Sequence, residues 1–448
     1  MRRRHFLAGV SGSMAASMAA NDPAGTPGRR PALSSCDCAF EPQAAVPPGA
    51  NALAAFGSKV RITNLKTFGV TIPGAPPDRP YVFVKLETNE GLVGWGEGTL
   101  EGKAGAVLAC INDFREFLIG ADPMPVEHHW QSMYVHSFYR AGPVMGSAIS
   151  AIDQALWDLR GKILGVPVYK LLGGPNDADG VRGYYVANAR TLDDLKRLRE
   201  TAHAQGITAF KGGLPSYYEW IETNDKITEA VTHLEMLREG LGPEIDIAVD
   251  FHAKTSPSVA AVIIKEVEPL HLLWVEEPCP PENVHAMARI ARRVNTPIAT
   301  GERLIAAYGV RELVEQAVVD IIQTDTNHVG GITALWKVAA MANISSISMA
   351  PHACEGPIGM LASLHVDASI PNFLIQECCG QAVPQVRDKV WEEWFGFPAM
   401  RMVNGKYPLP DKPGLGFDLS EDALKKYPFA GSRPMARVFH KDGSVAEW

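Results

Sequence analysis

A chain of 448 residues, 46% hydrophobic and 21% charged, is long enough for two or three globular cores. Its net charge of −8 supplies no basic field, which argues against nucleic acid and anionic membrane as partners. Beyond the N-terminus no apolar run reaches the roughly 18 residues that a spanning helix requires.

Arg2, Arg3, Arg4, His5, Phe6 and Leu7 make a basic start, and a weakly apolar stretch to Ala20 follows. Arg3-Arg4 followed by x-Phe-Leu resembles a twin-arginine export signal, with a small-x-small cleavage site near Ser17-Met18-Ala19. The expected location is the periplasm or beyond, or the cytoplasm if the signal is not used. From Asn21 to about Ser58 the chain is rich in Pro, Ala and Gly and reads as a disordered linker, so 1–58 is set apart from the fold. Seven cysteines, at 36, 38, 110, 279, 354, 378 and 379, form no paired CxxC spacing and argue against a disulfide-built fold. Twin-arginine export moves folded proteins and would suit a chain that loads a metal in the cytoplasm.

Residues 59–180 are predicted to be an α+β capping domain. VRITNLKTFGV, YVFVKLET and LVGWGE read as three strands, with a turn at Asn89-Glu90-Gly91. Helical periodicity follows in AGAVLACINDFREFLIG and SAISAIDQALWDLRGKILG. The second places Ile149, Ile152, Leu156 and Leu159 on one face and stops at Gly165 before Pro167. His128-His129 lies in a helical stretch and reads as surface. The glycines of Gly94-Trp95-Gly96-Glu97-Gly98 close a strand pair and open no helix, so they make no dinucleotide fingerprint.

From Val181 strand and helix patterns alternate. The strand-like runs are VRGYYVAN, TAFKGG, IDIAVDFH, LLWVEEP, PIATGE, DIIQTD, ISMAPH and NFLIQEC, with amphipathic patterns such as DLKRLRETAHAQ between them. Eight such runs over 181–384 predict an α/β fold, a TIM-type parallel barrel. Residues 385–448 read as an irregular, Trp- and Pro-rich segment that packs back on the capping domain.

Three acidic residues end three successive strands, Asp250, Glu276 and Glu302, each 26 residues from the next. One strand–loop–helix unit of such a barrel takes roughly 25 to 30 residues, so the spacing predicts three carboxylates at one height on the C-terminal face. Three convergent oxygens there suit a hard divalent cation such as Mg2+. The other strand ends carry Asn188, Lys211, His252, Asp325, His352 and Glu377. Asp325 can orient His352 and raise its basicity, and His252 shares a side with Asp250 because strand side chains alternate. Lys211 is a cation expected near the metal carboxylates. His328 reads as a buried barrel-loop residue.

Together these residues resemble the enolase superfamily in its mandelate racemase and muconate lactonizing branch, and within it the D-galactonate dehydratases. The stretches that carry the resemblance are Trp95-Gly96-Glu97, SAISAIDQALWD, Asp250-Phe251-His252, Glu276-Glu277-Pro278, GER at Gly301, HVGGIT at His328, APH at Ala350, GPI at Gly356 and the closing GSVAEW. They span roughly Val60 to Trp448. The resemblance implies a (β/α)7β barrel with an α+β cap, one Mg2+ per subunit on Asp250, Glu276 and Glu302, and a symmetric homo-oligomer.

It also implies a reaction: dehydration of a sugar acid, D-galactonate above all, to a 2-keto-3-deoxy acid. His352, oriented by Asp325, would take the C2 proton, and His252 would protonate the departing 3-hydroxyl. Glu377 would hydrogen-bond a substrate carboxylate oxygen in protonated form. The chain departs from its branch at Gly213, where many members carry a lysine base and the galactonate dehydratases a polar residue. The loop 72–80 and the segment Thr99 to Lys103 are expected to close over the mouth. Phe138-Tyr139-Arg140 is a further contact candidate or a part of the cap core. Two other readings stand open: an epimerase or racemase of a related acid, and an exported binding protein that keeps the fold.

Overall fold

The computed structural model describes residues 59–72, 80–353, 356–378, 386–432 and 436–447. The export signal, the linker, Cys36, Cys38, Cys354, Cys379 and nearly all of the loop 72–80 lie outside them. No helix among the described residues is long and apolar enough to cross a membrane.

The first sheet is an antiparallel meander of β1 (Ile62–Val70), β2 (Tyr81–Thr88) and β3 (Val93–Glu97). The helix Pro143–Leu164 lies along β3, starting at its proline one residue after Gly142, whose φ is 90°. The alternate glycines of β3 permit this approach. A Cβ on Gly96 would lie 1.9 Å from the carbonyl oxygen of Ala151, and one on Gly94 2.2 Å from that of Ala155. The glycines that fail as a nucleotide motif therefore exist to let a helix rest on a strand backbone.

The barrel follows: β4 (Val181–Val186), β5 (Ala209–Gly213), β6 (Asp246–Asp250), β7 (Trp274–Glu276), β8 (Ile298–Thr300), β9 (Ile321–Ile322), β10 (Ser348–Met349) and β11 (Gln376–Glu377). Each of β4 to β9 pairs in parallel with the next in sequence, and β11 pairs with β4. A parallel bridge between Met349 and Phe373 joins the two ends of the order, so the ring closes. Among the described residues an α-helix occupies each of the seven crossovers, which makes the fold a (β/α)7β barrel. Its interior is filled by Tyr184 and Trp274, whose rings meet edge-on at 5.7 Å, set against the small Ala209, Ala248 and Ala299.

Cap and barrel are joined by buried polar contacts. The Glu97 carboxylate, wholly buried, accepts the backbone N–H groups of Ile358 (2.9 Å) and Gly359 (3.0 Å) at the start of the barrel helix Pro357–Asp367. A helix N-terminus with unpaired N–H groups is where a negative charge is best placed. Asp153 accepts from the Thr333 N–H, Gly330 N–H donates to Ser150, and Trp130 donates to the Gly330 carbonyl. His328 is buried here against the Ser147 hydroxyl at 2.8 Å.

Several expectations need correcting. Thr99 does not reach the mouth: it is buried, donating to Glu97 and accepting from Val82 N–H, because the Glu97 carboxylate needs a further donor. His129 is buried, its Nε2 2.7 Å from the Asp122 carbonyl, whereas only surface was expected for the pair. Phe138 and Tyr139 are exposed and do not belong to the cap core. The segment after Pro384 is more ordered than its composition suggests. The helix Val386–Phe395 buries Trp391, Trp394 and Phe395 on one face, with Trp394 edge-on to Tyr81 and Phe83 of the cap. β12 (Lys406–Tyr407) then adds an antiparallel pair to β4.

His365 gives the fold an acid sensitivity. It is fully buried in the helix Pro357–Asp367, stacked on Tyr169, and its Nδ1 accepts the Tyr169 N–H. Burial lowers its imidazole to about 4. A depressed histidine contributes stability that is whole above its unfolded value near 6.5 and is lost as pH falls towards 4. Chemical denaturation between pH 7 and 4 should thus show a fall in stability, of about 3 kcal/mol at most from this group. His365→Gln should flatten that fall.

Candidate active site

The β-register decides which side chains meet. Gly213, Asp250 and Glu276 are direct neighbours across β5, β6 and β7. Glu276 is paired with Ala299 on β8, so Glu302 stands three residues past that level. The equal spacing thus puts two carboxylates at one height and the third further out, since β8 ends at Thr300 and the chain turns through Gly301, whose φ is 143°.

Lys211 is at the centre. Its ammonium is 2.8 Å from Glu377 Oε1, 3.0 Å from Glu276 Oε1 and 3.8 Å from Asp250 Oδ2. Burial works to strip its proton, but Glu276, Glu377 and Asp250 outweigh burial and hold it charged well above the ordinary lysine range. Lys211 is therefore a fixed positive charge and not a proton acceptor. Glu276 takes two further hydrogen bonds, from Gln323 Nε2 at 2.8 Å and Trp274 Nε1 at 3.2 Å. Asp250 Oδ1 accepts the His252 N–H at 2.7 Å. Burial, then repulsion from Glu276, pushes the Asp250 carboxyl well above its usual range despite Lys211.

The two histidines flank Glu302. His352 Nε2 is 3.4 Å from Glu302 Oε2, and His252 Nε2 is 3.8 Å from Oε1. Burial alone would raise the Glu302 carboxyl; His352, Lys211 and His252 together hold it below the usual range. His352 Nδ1 is 2.6 Å from Asp325 Oδ2. A carboxylate only accepts, so in the neutral imidazole Nδ1 carries the proton and Nε2 turns its lone pair to the mouth. Asp325 is itself fixed by the Asn327 N–H at 2.5 Å. His252 has φ 51° and Ala253 φ 53°, two left-handed residues in a row, which the Ala253 N–H bond to the Glu277 carbonyl holds in place. Burial lowers the His252 imidazole, with the Glu302 carboxylate opposing.

Burial would raise the Glu377 carboxyl, but Lys211 and His352 hold it below the usual range. Its Oε2 accepts the Ala353 N–H at 3.3 Å.

The amino-acid pattern also missed a pair. Glu277 is buried behind Glu276 and gripped by Arg303, with Nη2 3.0 Å from Oε2. The signal was present in Glu276-Glu277 and Glu302-Arg303, where opposite charges follow two aligned acids. Gly213 is not demanded by packing: a Cβ there would meet nothing nearer than the Asp250 carbonyl oxygen at 3.6 Å. The missing side chain leaves room beside Asp250.

Asp250, Glu276 and Glu302 offer carboxylate oxygens alone, which suits Mg2+ or another hard cation and not zinc. The raised Asp250 carboxyl marks a cluster short of positive charge, as a cation-binding site would be. As they stand, these acids gather around Lys211 and the histidines, and among the described residues no three His, Cys, Asp or Glu converge on a common point. The residues therefore fit the group by chemistry and charge.

Comparison with known proteins agrees with this geometry. Residues 70–173 match the mandelate racemase/muconate lactonizing enzyme N-terminal domain, and 193–423 match the enolase C-terminal domain-like family. The chain belongs to the mandelate racemase/muconate lactonizing branch of the enolase superfamily. A relative in this branch, the D-galactonate dehydratase of Ralstonia pickettii (strain 12J), is 38% identical over 403 residues, covering 87% of this chain and all of its own length. An enolase from Pantoea ananatis solved with bound D-gluconate and Mg is 30% identical with a TM-score of 0.77, covering 87% of this chain and 100% of its own. A further superfamily member from Salmonella Typhimurium is 29% identical with a TM-score of 0.75, covering 82% of this chain and 98% of its own.

The central lysine can be tested directly. Lys211→Met leaves Glu276 and Glu377 buried without their countercharge, and breaking such a pair typically costs about 3–5 kcal/mol. Urea denaturation at pH 7 should show a loss of that size, and a loss well under 1 kcal/mol would contradict the central placement.

Proposed function

We propose that the chain is a Mg2+-dependent hydro-lyase that dehydrates a sugar acid, D-galactonate in the first place, to a 2-keto-3-deoxy acid. The observation that carries this reading is the placement of two histidines on either side of Glu302, one of them backed by Asp325 at 2.6 Å. A dehydration needs a base at C2 and an acid at C3, and this pair supplies one of each. The names of the Ralstonia relative and the gluconate-bound Pantoea enolase support a six-carbon aldonate as the substrate class.

Asp250, Glu276 and Glu302 would hold Mg2+, which when bound neutralises the negative charge that a substrate carboxylate gains as its α-proton leaves. The chain's own groups do the rest. His352 Nε2 takes the C2 proton, and the Asp325 carboxylate stabilises the imidazolium that results. Lys211 holds Glu377 and Glu276 fixed at the mouth. His252 gives a proton to the departing 3-hydroxyl, which leaves as water. The C2–C3 enol then tautomerises to the ketone, and solvent returns both histidines to their starting states.

His352→Asn should abolish exchange of the C2 proton with solvent deuterium, followed by NMR, whereas His252→Asn should keep exchange and lose dehydration. A normal rate of keto-acid formation in either variant contradicts its assignment. Glu302→Gln should lose most Mg2+ affinity in a calorimetric titration, a readout independent of turnover. A panel of aldonic acids with Mg2+, scored by semicarbazide detection of keto product, tests the reaction itself. Deuterium entering C2 with no keto product from any acid would mark an epimerase instead.

A further inference from the structure

A cavity of about 180 Å³ lies among the loops after β5 and β6, and the C-terminal segment closes one side of it. Its walls include Trp220 from the loop after β5, Lys254 and Ser256 from the loop after β6, and His440, Ala446 and Glu447 from the C-terminal segment. Ala253, the next residue in the chain after His252, also lines it.

The roof is a built hairpin and not a trailing end. Phe439 and Val445 are bridged antiparallel, His440 N–H donates to the Ser444 carbonyl and Ala446 N–H to the Val438 carbonyl. Asp442 Oδ1 takes both the N–H and the hydroxyl of Ser444, and Gly443 turns the chain with φ 86°. One carboxylate fastens the hairpin to the barrel. Glu219 Oε1 accepts the Lys441 N–H at 3.0 Å, and its Oε2 is 3.1 Å from His440 Nδ1, while the His440 ring packs against Trp220 at 5.7 Å. At the far end Glu447 is 3.6 Å from Arg303, the residue after Glu302 that also grips Glu277. The last turn of the chain is thus tied to the loops that carry the reacting groups.

The chemistry of the cavity suits a hydroxylated carbon chain. It offers an ammonium, a carboxylate and a histidine beside aromatic faces, the mixture that sugars call for. Lys254 lines the cavity, with its ammonium 5.2 Å from the centroid of the Tyr217 ring, and it makes no ion pair among the described residues. A water's share of liquid volume is about 30 Å³, so the space takes roughly six water-sized groups, enough for a short run of hydroxylated carbons.

We propose that the far end of the substrate, the carbons beyond C3, is bound in this cavity under the C-terminal hairpin, with Lys254 reading its hydroxyls and Glu219 positioning the roof. The proposal rests on the sugar-acid reading above and adds to it where the substrate's length is sensed.

The test compares a six-carbon acid, D-galactonate, with a four-carbon acid, threonate, on the full chain with Mg2+. Lys254→Met removes the ammonium, and Glu219→Gln loosens the roof. Both should raise KM for galactonate by about tenfold or more, the usual loss for a hydrogen bond to a charged group, and leave kcat nearly unchanged. KM for threonate, which cannot reach the cavity, should not move. A galactonate KM unchanged in Lys254→Met, or a rise of equal size for both acids, overturns the subsite while leaving the dehydratase reading intact. If the wild type turns over neither acid, the reading fails, and calorimetric binding decides the subsite separately. Galactonate binding weakened by Lys254→Met upholds it, and equal or absent binding overturns it.

Discussion

Asp250, Glu276 and Glu377 are gathered round one buried ammonium with Glu302 further out, and a cluster so short of positive charge must be compensated by everything near it. The neighbours divide this task. Gln323 and Trp274 donate to Glu276, backbone N–H groups donate to Asp250 and Glu377, and two histidines flank Glu302. Even so, Asp250 is left with a carboxyl pushed well up. Folding such a cluster is unfavourable taken alone, and it is held by a barrel whose closed ring and filled interior leave the strand ends no freedom to spread. The same imbalance makes the mouth receptive to a cation.

The second carboxylate on which the architecture turns is Glu97. It comes from the cap, and it satisfies the first N–H groups of a barrel helix. Around it the glycines of β3 let the helix Pro143–Leu164 approach to backbone contact, and that helix sends Ser147 and Ser150 to the loop after β9 and Asp153 to the first turn of the helix Gly331–Ile344. Short side chains on one element and buried polar groups on the next thus fix the cap on the side of the barrel where Asp325 is held.

The barrel and its site were legible because both follow from periodicities. Strands of one kind recurring at one interval leave few folds to choose from, and polar residues that end apolar runs at that interval are brought together by closure alone. What spacing could not carry is side-chain orientation and backbone departure from the strand. Glu302 lies beyond the level of Asp250 and Glu276 because β8 stops short, and no pattern in PIATGE marks that stop. The lowering of the Glu377 carboxyl comes first from Lys211 reaching across from another strand, which only the fold reveals. The helix Val386–Phe395 was missed although Trp391, Trp394 and Phe395 have helical spacing, since its partners Tyr81 and Phe83 lie some 300 residues away in the chain. The two-residue β12 has no local signal at all.

The docking of Glu97 also limits how the enzyme can breathe. Were the cap to swing off the barrel as a rigid lid, a wholly buried carboxylate would lose two backbone donors at once, and a helix would lose its cap. A hinge at that seam would have to break and remake these bonds in every turnover. Traffic through the mouth is therefore left to thinner parts, the loops and the chain's own end, while cap and barrel stay locked as a single frame.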